Sequence, residues 1–290
     1  MKYFTFATLL LIITFIEATM NAIVPGIYFD RIFLVIFENT DYIKAIQQPY
    51  LQDLMNRSNG LLLSNYFAIA HPSLPNYIAT VYGSTAGITD DDAHNVSGKN
   101  IVDLLEANGI TWKAYMENYP GNCFTGDFAP PDTVLYARKH NPFISMVGIS
   151  TNPSYCSKIV PATQLDSDIT SNKVPQFAYY VPNQNNDGHD TGVEFAMDWF
   201  EDWFESRLQK SSFTTNTLFF ITFDEDDYGD NNHIFSGLFG YPVKPPNNHS
   251  DDTLYNHYSF LSTVEENWDL EDLGRNDVNA TPFTKYLKHN

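Results

Sequence analysis

Asp224 and Glu225 follow directly on the apolar run Thr217-Leu-Phe-Phe-Ile-Thr-Phe223, and Glu38 and Asn39 follow in the same way on Arg31-Ile-Phe-Leu-Val-Ile-Phe37. A carboxylate at the end of a buried strand is costly unless it is paired or holds a cation. Carboxylates joined by an amide oxygen suit one hard divalent ion such as Mg, Ca or Mn, and Zn also accepts carboxylate oxygens. Weaker readings compete: Asn39, Thr40 and Asp41 are good turn or cap residues, and Asp226 and Asp227 read as an ordinary acidic loop.

The second group is His71-Pro-Ser-Leu-Pro-Asn76, which runs into an apolar stretch, Tyr77–Tyr82, that reads as a helix. Ser73 falls where an N-cap would sit, and Pro75 falls in the first turn. Beside a cation, a hydroxyl at a helix N-terminus is favoured as the alkoxide, which turns a poor nucleophile into a usable one. The Asn76 amide is placed to donate to an oxyanion. A third apolar run, Gln176–Val181, leads into Pro182-Asn183 and then Asp187 and His189. His189 has the residue type for a phosphate contact or a general acid. His233 and His257 are weaker histidines for the same work, because an isolated histidine is more often satisfied structurally.

Those residues need a scaffold that brings them together. Ile32–Phe37, Trp112–Tyr115, Gln176–Val181 and Leu218–Phe223 are short, nearly continuous in hydrophobicity and rich in branched and aromatic side chains, as in strands covered on both faces. Helical patterns lie between them. Asn100–Asn108 ends at Gly109, Val193–Leu208 gathers Phe195, Ala196, Trp199, Phe200, Trp203 and Phe204 on one stripe, and His257–Trp268 is periodic through Phe260, Leu261 and Val264. Strands alternating with helices predict an α/β fold with one central, mostly parallel sheet, and ligands in such folds bind beyond the carboxyl ends of the strands. With no linker and no fixed-period repeat, residues 23–290 read as one domain.

Residues 1–22 read as a secretory signal: Lys2 is followed by an apolar run too short for a comfortable membrane span. A secreted destination, extracellular or in a cell wall, agrees with two cysteines, Cys123 and Cys156, expected as a disulfide. It also agrees with glycosylation sequons at Asn56, Asn95, Asn248 and Asn279. The 290 residues are 43% hydrophobic and 15% aromatic, with a net charge of −19. That charge argues against a nucleic-acid surface and against adhesion to anionic membrane. It is equally unfavourable to an anionic substrate, so a phosphate ester needs a local cation to override the field. Unbiased composition without repeats disfavours a structural wall protein.

Taken in order, Phe37-Glu-Asn-Thr40, His71-Pro-Ser-Leu-Pro-Asn76, Pro182-Asn-Gln-Asn-Asn-Asp-Gly-His189, Thr222-Phe-Asp-Glu225 and His257-Tyr-Ser259 resemble the phosphoesterase family of acid phosphatases and non-haemolytic phospholipases C, over residues 30 to 270. The resemblance implies an alkaline-phosphatase-like fold with Glu38, Asn39, Ser73, Asp224 and Glu225 around one metal ion and Ser73 as nucleophile. It implies that Asn76, Asn183 and His189 contact the phosphoryl group, with His233 as a further contact. His189 or His257 would be the general acid. Ser73-Leu-Pro-Asn-Tyr77 has Tyr where the sulfatases of the superfamily have Arg, which disfavours sulfatase chemistry. The expectation is hydrolysis of a small phosphate monoester through phosphoserine. The alternatives are a phosphodiesterase or phospholipase C of the same family, or an inactive secreted glycan- or protein-binding module.

Overall fold

The computed structural model describes residues 23–290, so the expected signal segment lies outside the described residues. One eight-stranded sheet organises them. In chain order its strands are β1 (Arg31–Phe37), β2 (Gly60–Leu63), β3 (Trp112–Met116), β4 (Ile159–Pro161), β5 (Phe177–Val181), β6 (Thr217–Phe223), β7 (Ser236–Phe239) and β8 (Ser250–Asp251). Across the sheet they run β8-β2-β7-β6-β1-β5-β3-β4. The centre is parallel: β1 pairs with both β5 and β6, and β3 with both β4 and β5. β7 runs antiparallel to β6 and β2, so the sheet is mixed on one side. The expected α/β architecture holds.

Every residue of β1, β5 and β6 is buried, which is why these strands read as unbroken apolar runs. The helices α1 (Ser73–Tyr82), α2 (Ile101–Ala107), α3 (Val193–Leu208) and α4 (His257–Asn267) lie at the expected positions. α1 ends at Gly83, whose φ of 75° a side chain would disfavour. On α3 the buried stripe is Val193, Ala196, Met197, Phe200, Trp203 and Phe204. Phe195, expected on that stripe, is 48% exposed, because the helix turns it about 100° away from Ala196. Cys123 and Cys156 are disulfide-bonded, with their Cα atoms 5.3 Å apart. No helix among the described residues is long and apolar enough to cross a membrane.

The parallel pairing fixes the geometry that matters. Phe37 and Phe223 are register partners, so Glu38-Asn39 and Asp224-Glu225 leave adjacent strands at the same edge. Val35 is level with Tyr180, so the loop after β5 opens beside them.

Candidate active site

Asn39 adopts φ 43°, a left-handed turn that Asn tolerates better than most residues. The turn lets its amide donate to Asp224 Oδ1 at 3.2 Å, while Thr40 N donates to the Glu225 carbonyl at 3.2 Å. Asp224 Oδ1 also accepts from the Glu225 amide at 2.7 Å. Two oxygens are left buried with no hydrogen-bond partner, Asn39 Oδ1 and Asp224 Oδ2. Buried orphan acceptors of this kind require an explanation.

Ser73 lies among the same groups. Its hydroxyl donates to Glu38 Oε2 at 3.0 Å and is 3.2 Å from Glu225 Oε1. Ser73 is the first residue of α1 and not its cap: Pro72 takes the cap position and Ser73 makes no capping bond. That corrects the sequence expectation by one residue. It also frees the side chain to face the carboxylates.

Glu38 is fully buried and used on both oxygens. Oε1 accepts from the Tyr77 hydroxyl at 2.5 Å and lies 3.2 Å from His140 Nε2, while Oε2 meets Ser73. His140 Nδ1 lies 3.5 Å from Asp187 Oδ2, and Tyr77 stacks on its ring at 5.1 Å. Burial alone would raise the Glu38 carboxyl, but the charges of His140 and Lys139 and the Tyr77 hydrogen bond hold it down at about 2. Burial alone would lower the His140 imidazole, yet Glu38 and Asp187 lift it to about 9. Burial pushes Asp187 up to about 6. Asp224 is raised well above the usual range by burial and by Glu38 and Glu225, and Glu225 is pushed up to about 8 by burial and Glu38.

The fit to a cation follows from these oxygens. Glu38, Asn39, Ser73, Asp224 and Glu225 offer only oxygen donors, two of them orphaned, amid carboxylates whose repulsion a positive ion would relieve. A second grouping, Glu38, His140 and Asp187, brings one ligand atom from each residue within 4.8 Å of the others and could also hold a metal ion. Both groupings share Glu38. His140 and Tyr77 reach its Oε1, which leaves Oε2 toward Ser73, so His140 would orient the carboxylate if Glu38 held the ion through Oε2.

The structure separates the remaining residues by position. His189 stands at the rim, with Nδ1 2.8 Å from Asp190 Oδ1 and Nε2 3.5 Å from Lys139 Nζ. Asn76 is buried and saturated: Oδ1 accepts from the Ile69 and Ala70 amides at 2.9 and 3.0 Å, and Nδ2 donates to the Ala70 carbonyl at 2.8 Å. It therefore shapes the approach to Ser73 and has little left for a substrate. Asn183 organises its own loop, accepting from the Asn185 and Asn186 amides, both at 3.0 Å, and donating to Asn118 Oδ1 at 2.8 Å.

Two histidines need correction. His257 is fully buried, its Nε2 lies 2.6 Å from the Asp224 carbonyl, and burial lowers it to about 4. With no exposed surface and its Nε2 held by the Asp224 carbonyl, the ring braces the Asp224-Glu225 turn and does not reach a leaving group. His233 bonds the Ser64 carbonyl at 3.0 Å and stacks between Tyr42 and Phe67, at 3.9 and 5.0 Å, which makes it a packing residue. Asp226 also departs from the bland acidic loop expected. It is buried and accepts from the amides of Tyr228, Asp230 and Asn232, closing the loop beyond the site, whereas Asp227 is exposed as expected.

Sequence reasoning did not single out His140, Lys139, Tyr77 or His71. His71 Nδ1 lies 2.7 Å from Glu225 Oε2 and Nε2 lies 3.0 Å from Asp226 Oδ1, with Tyr228 stacked on the ring at 4.1 Å. The signal for Tyr77 and His71 was their place in the Ser73 segment. His140 arrives on a short turn, Arg138–His140, with no periodic pattern around it.

The sheet order and the site at its carboxyl edge define an alkaline-phosphatase-like fold. A structure in the alkaline phosphatase superfamily from Vibrio parahaemolyticus matches with a TM-score of 0.59 at 13% identity, covering 88% of this chain and 70% of that one. The chain belongs to the phosphoesterase family, which it matches over residues 38–271. A probable acid phosphatase of Kluyveromyces lactis is 41% identical over 89% of this chain, and an acid phosphatase of Aspergillus fumigatus is 37% identical over 89%. The aligned part covers 62% and 59% of those two relatives, less than two thirds of their length.

Proposed function

We propose that the protein is a secreted, metal-dependent acid phosphatase that hydrolyses small phosphate monoesters through a phosphoserine on Ser73. The observation that carries this reading is the Ser73 hydroxyl held between Glu38 Oε2 and Glu225 Oε1, at 3.0 and 3.2 Å, beside the orphaned oxygens of Asn39 and Asp224. One divalent ion held by Glu38, Asn39, Ser73, Asp224 and Glu225 would supply positive charge to a serine alkoxide and to developing phosphoryl charge.

The chain's own residues do the rest. Ser73 gives its proton to the Glu225 carboxylate, 3.2 Å away, Oγ attacks phosphorus as the ester oxygen leaves, and Glu225 returns the proton to Oγ when water releases the phosphoserine. His189, on the rim, donates a proton to the leaving oxygen, and then takes one from the water that releases the phosphoserine. Asp190, 2.8 Å from Nδ1, keeps that ring oriented. Proton donation by an imidazole is favoured at mildly acidic pH. His140, Tyr77 and His257 hold Glu38 and the Asp224-Glu225 turn in place.

The Cys123–Cys156 disulfide supports an oxidising destination. Asn56, Asn95, Asn248 and Asn279 are all exposed, as glycan attachment requires. Ser73→Ala should abolish turnover of an aryl phosphate monoester, and a chelator should abolish it in the unaltered protein. Turnover in Ser73→Ala at the unaltered rate would sink the mechanism.

A further inference from the structure

Lys139 is the lysine whose charge reaches Glu38, Asp224 and Glu225, and beyond helping to keep Glu38 ionised it has no part in the mechanism above. Its side chain is only 15% exposed, and its Nζ lies 3.0 Å from Asp91 Oδ2 and 3.5 Å from His189 Nε2. The other oxygen of Asp91 accepts from the Leu74 amide, the residue next to Ser73, at 2.9 Å. One carboxylate thus spans the amide beside the nucleophile and the lysine at the rim, as two oxygens of a phosphoryl group would. A cavity of about 360 Å³ opens there, and its charged lining is Arg138 and Lys139 together with Asp91, Asp92 and Asp127. Arg138 turns its Nη1 to the Thr125 carbonyl and its Nη2 to the His94 carbonyl and Asn95 Oδ1, whereas Lys139 Nζ lies between Asp91 and His189.

We propose that Lys139 binds the second charged oxygen of a phosphate monoester and so selects monoesters over diesters, and that Asp91 occupies that place until substrate displaces it. This rests on the reading of Ser73 as a phosphate-ester nucleophile. A monoester dianion carries one more charge than a diester, in a site walled by Glu38, Asp187, Asp224 and Glu225 on a chain of net charge −19. A fixed ammonium at the rim meets that extra charge, whereas a diester puts a neutral ester oxygen there.

The test uses the full chain with excess Mg, an aryl phosphate monoester and the matching diester, and inorganic phosphate as a binding probe. Lys139→Gln should lower monoester kcat/KM about 100-fold, and diester kcat/KM less than about 10-fold. Lys139→Arg should recover part of the monoester loss. Asp91→Asn should tighten inhibition by inorganic phosphate about 10-fold, since the competing carboxylate charge is gone. Equal losses on both esters, or no loss, would overturn the proposal. If the unaltered protein cleaves neither ester, the Ser73 reading fails, and protection from thermal unfolding by inorganic phosphate decides the Lys139 site. Protection that Lys139→Gln removes supports it, and protection that is absent or unchanged in the variant overturns it.

Discussion

Tyr77→Phe isolates one bond at the centre of the site. The Tyr77 hydroxyl donates to Glu38 Oε1 at 2.5 Å, both side chains are fully buried, and the ring stacks on His140 at 5.1 Å. Phenylalanine keeps the ring and its packing and removes only the donor. A hydrogen bond to a charged group contributes about 1.5–3 kcal/mol, and His140 still reaches the same oxygen, which favours the lower end, about 1.5–2 kcal/mol. For a domain of this size each kcal/mol moves the melting midpoint by about 2–4 °C, so the expected drop is about 3–8 °C. Because Glu38 is expected to hold the ion, loosening it should also weaken activation by Mg about 10- to 100-fold. Thermal melts and a Mg titration of aryl phosphate turnover read the two effects. An unchanged melt together with an unchanged Mg midpoint would refute the reasoning that Tyr77 positions Glu38.

Two further outcomes follow from groups outside the site. Glu265 is pushed up to about 8 by burial and by the charges of Asp277 and Asp272. Its folded value lies above its unfolded one, so its stabilisation is fully present below the unfolded value of about 4.3 and is lost as pH rises through 8. Glu265→Gln should therefore gain in melting temperature relative to the unaltered protein as pH goes from 5 to 8, and a constant difference across that range would count against it. Replacing Cys123 by Ser opens a closure of 33 residues, which should cost about 3–4 kcal/mol in denaturant unfolding. It should also lower activity, because the freed segment leads into Lys139 and His140. Unchanged activity would show that the bridge does not position that segment.

The parts legible in the sequence were those that the parallel centre of the sheet dictates. β1, β5 and β6 are buried on both faces, so they read as unbroken apolar runs, and a carboxylate at the end of such a run is conspicuous. Glu38, Asp224 and Glu225 were found in that way. The strands that escaped, β2, β4, β7 and β8, are two to four residues long and lie toward the sheet's edges, where pattern alone does not distinguish a strand from a loop. His140 escaped because its position comes from an irregular segment pinned by a disulfide and a two-residue hairpin, Phe128–Ala129 on Tyr136–Ala137. Asn76 and His257 were read as reagents because their residue types allow it, and only the structure shows that backbone groups already use their polar atoms.

The central claim is a covalent phosphoryl group on Ser73, and acid-quenching the protein during turnover of a phosphorus-labelled aryl phosphate tests it most directly. Peptide mapping should find the label on the peptide containing Ser73, and none on Ser73→Ala. Label on His189 or on any other residue, or turnover that leaves the protein unlabelled, would contradict the account.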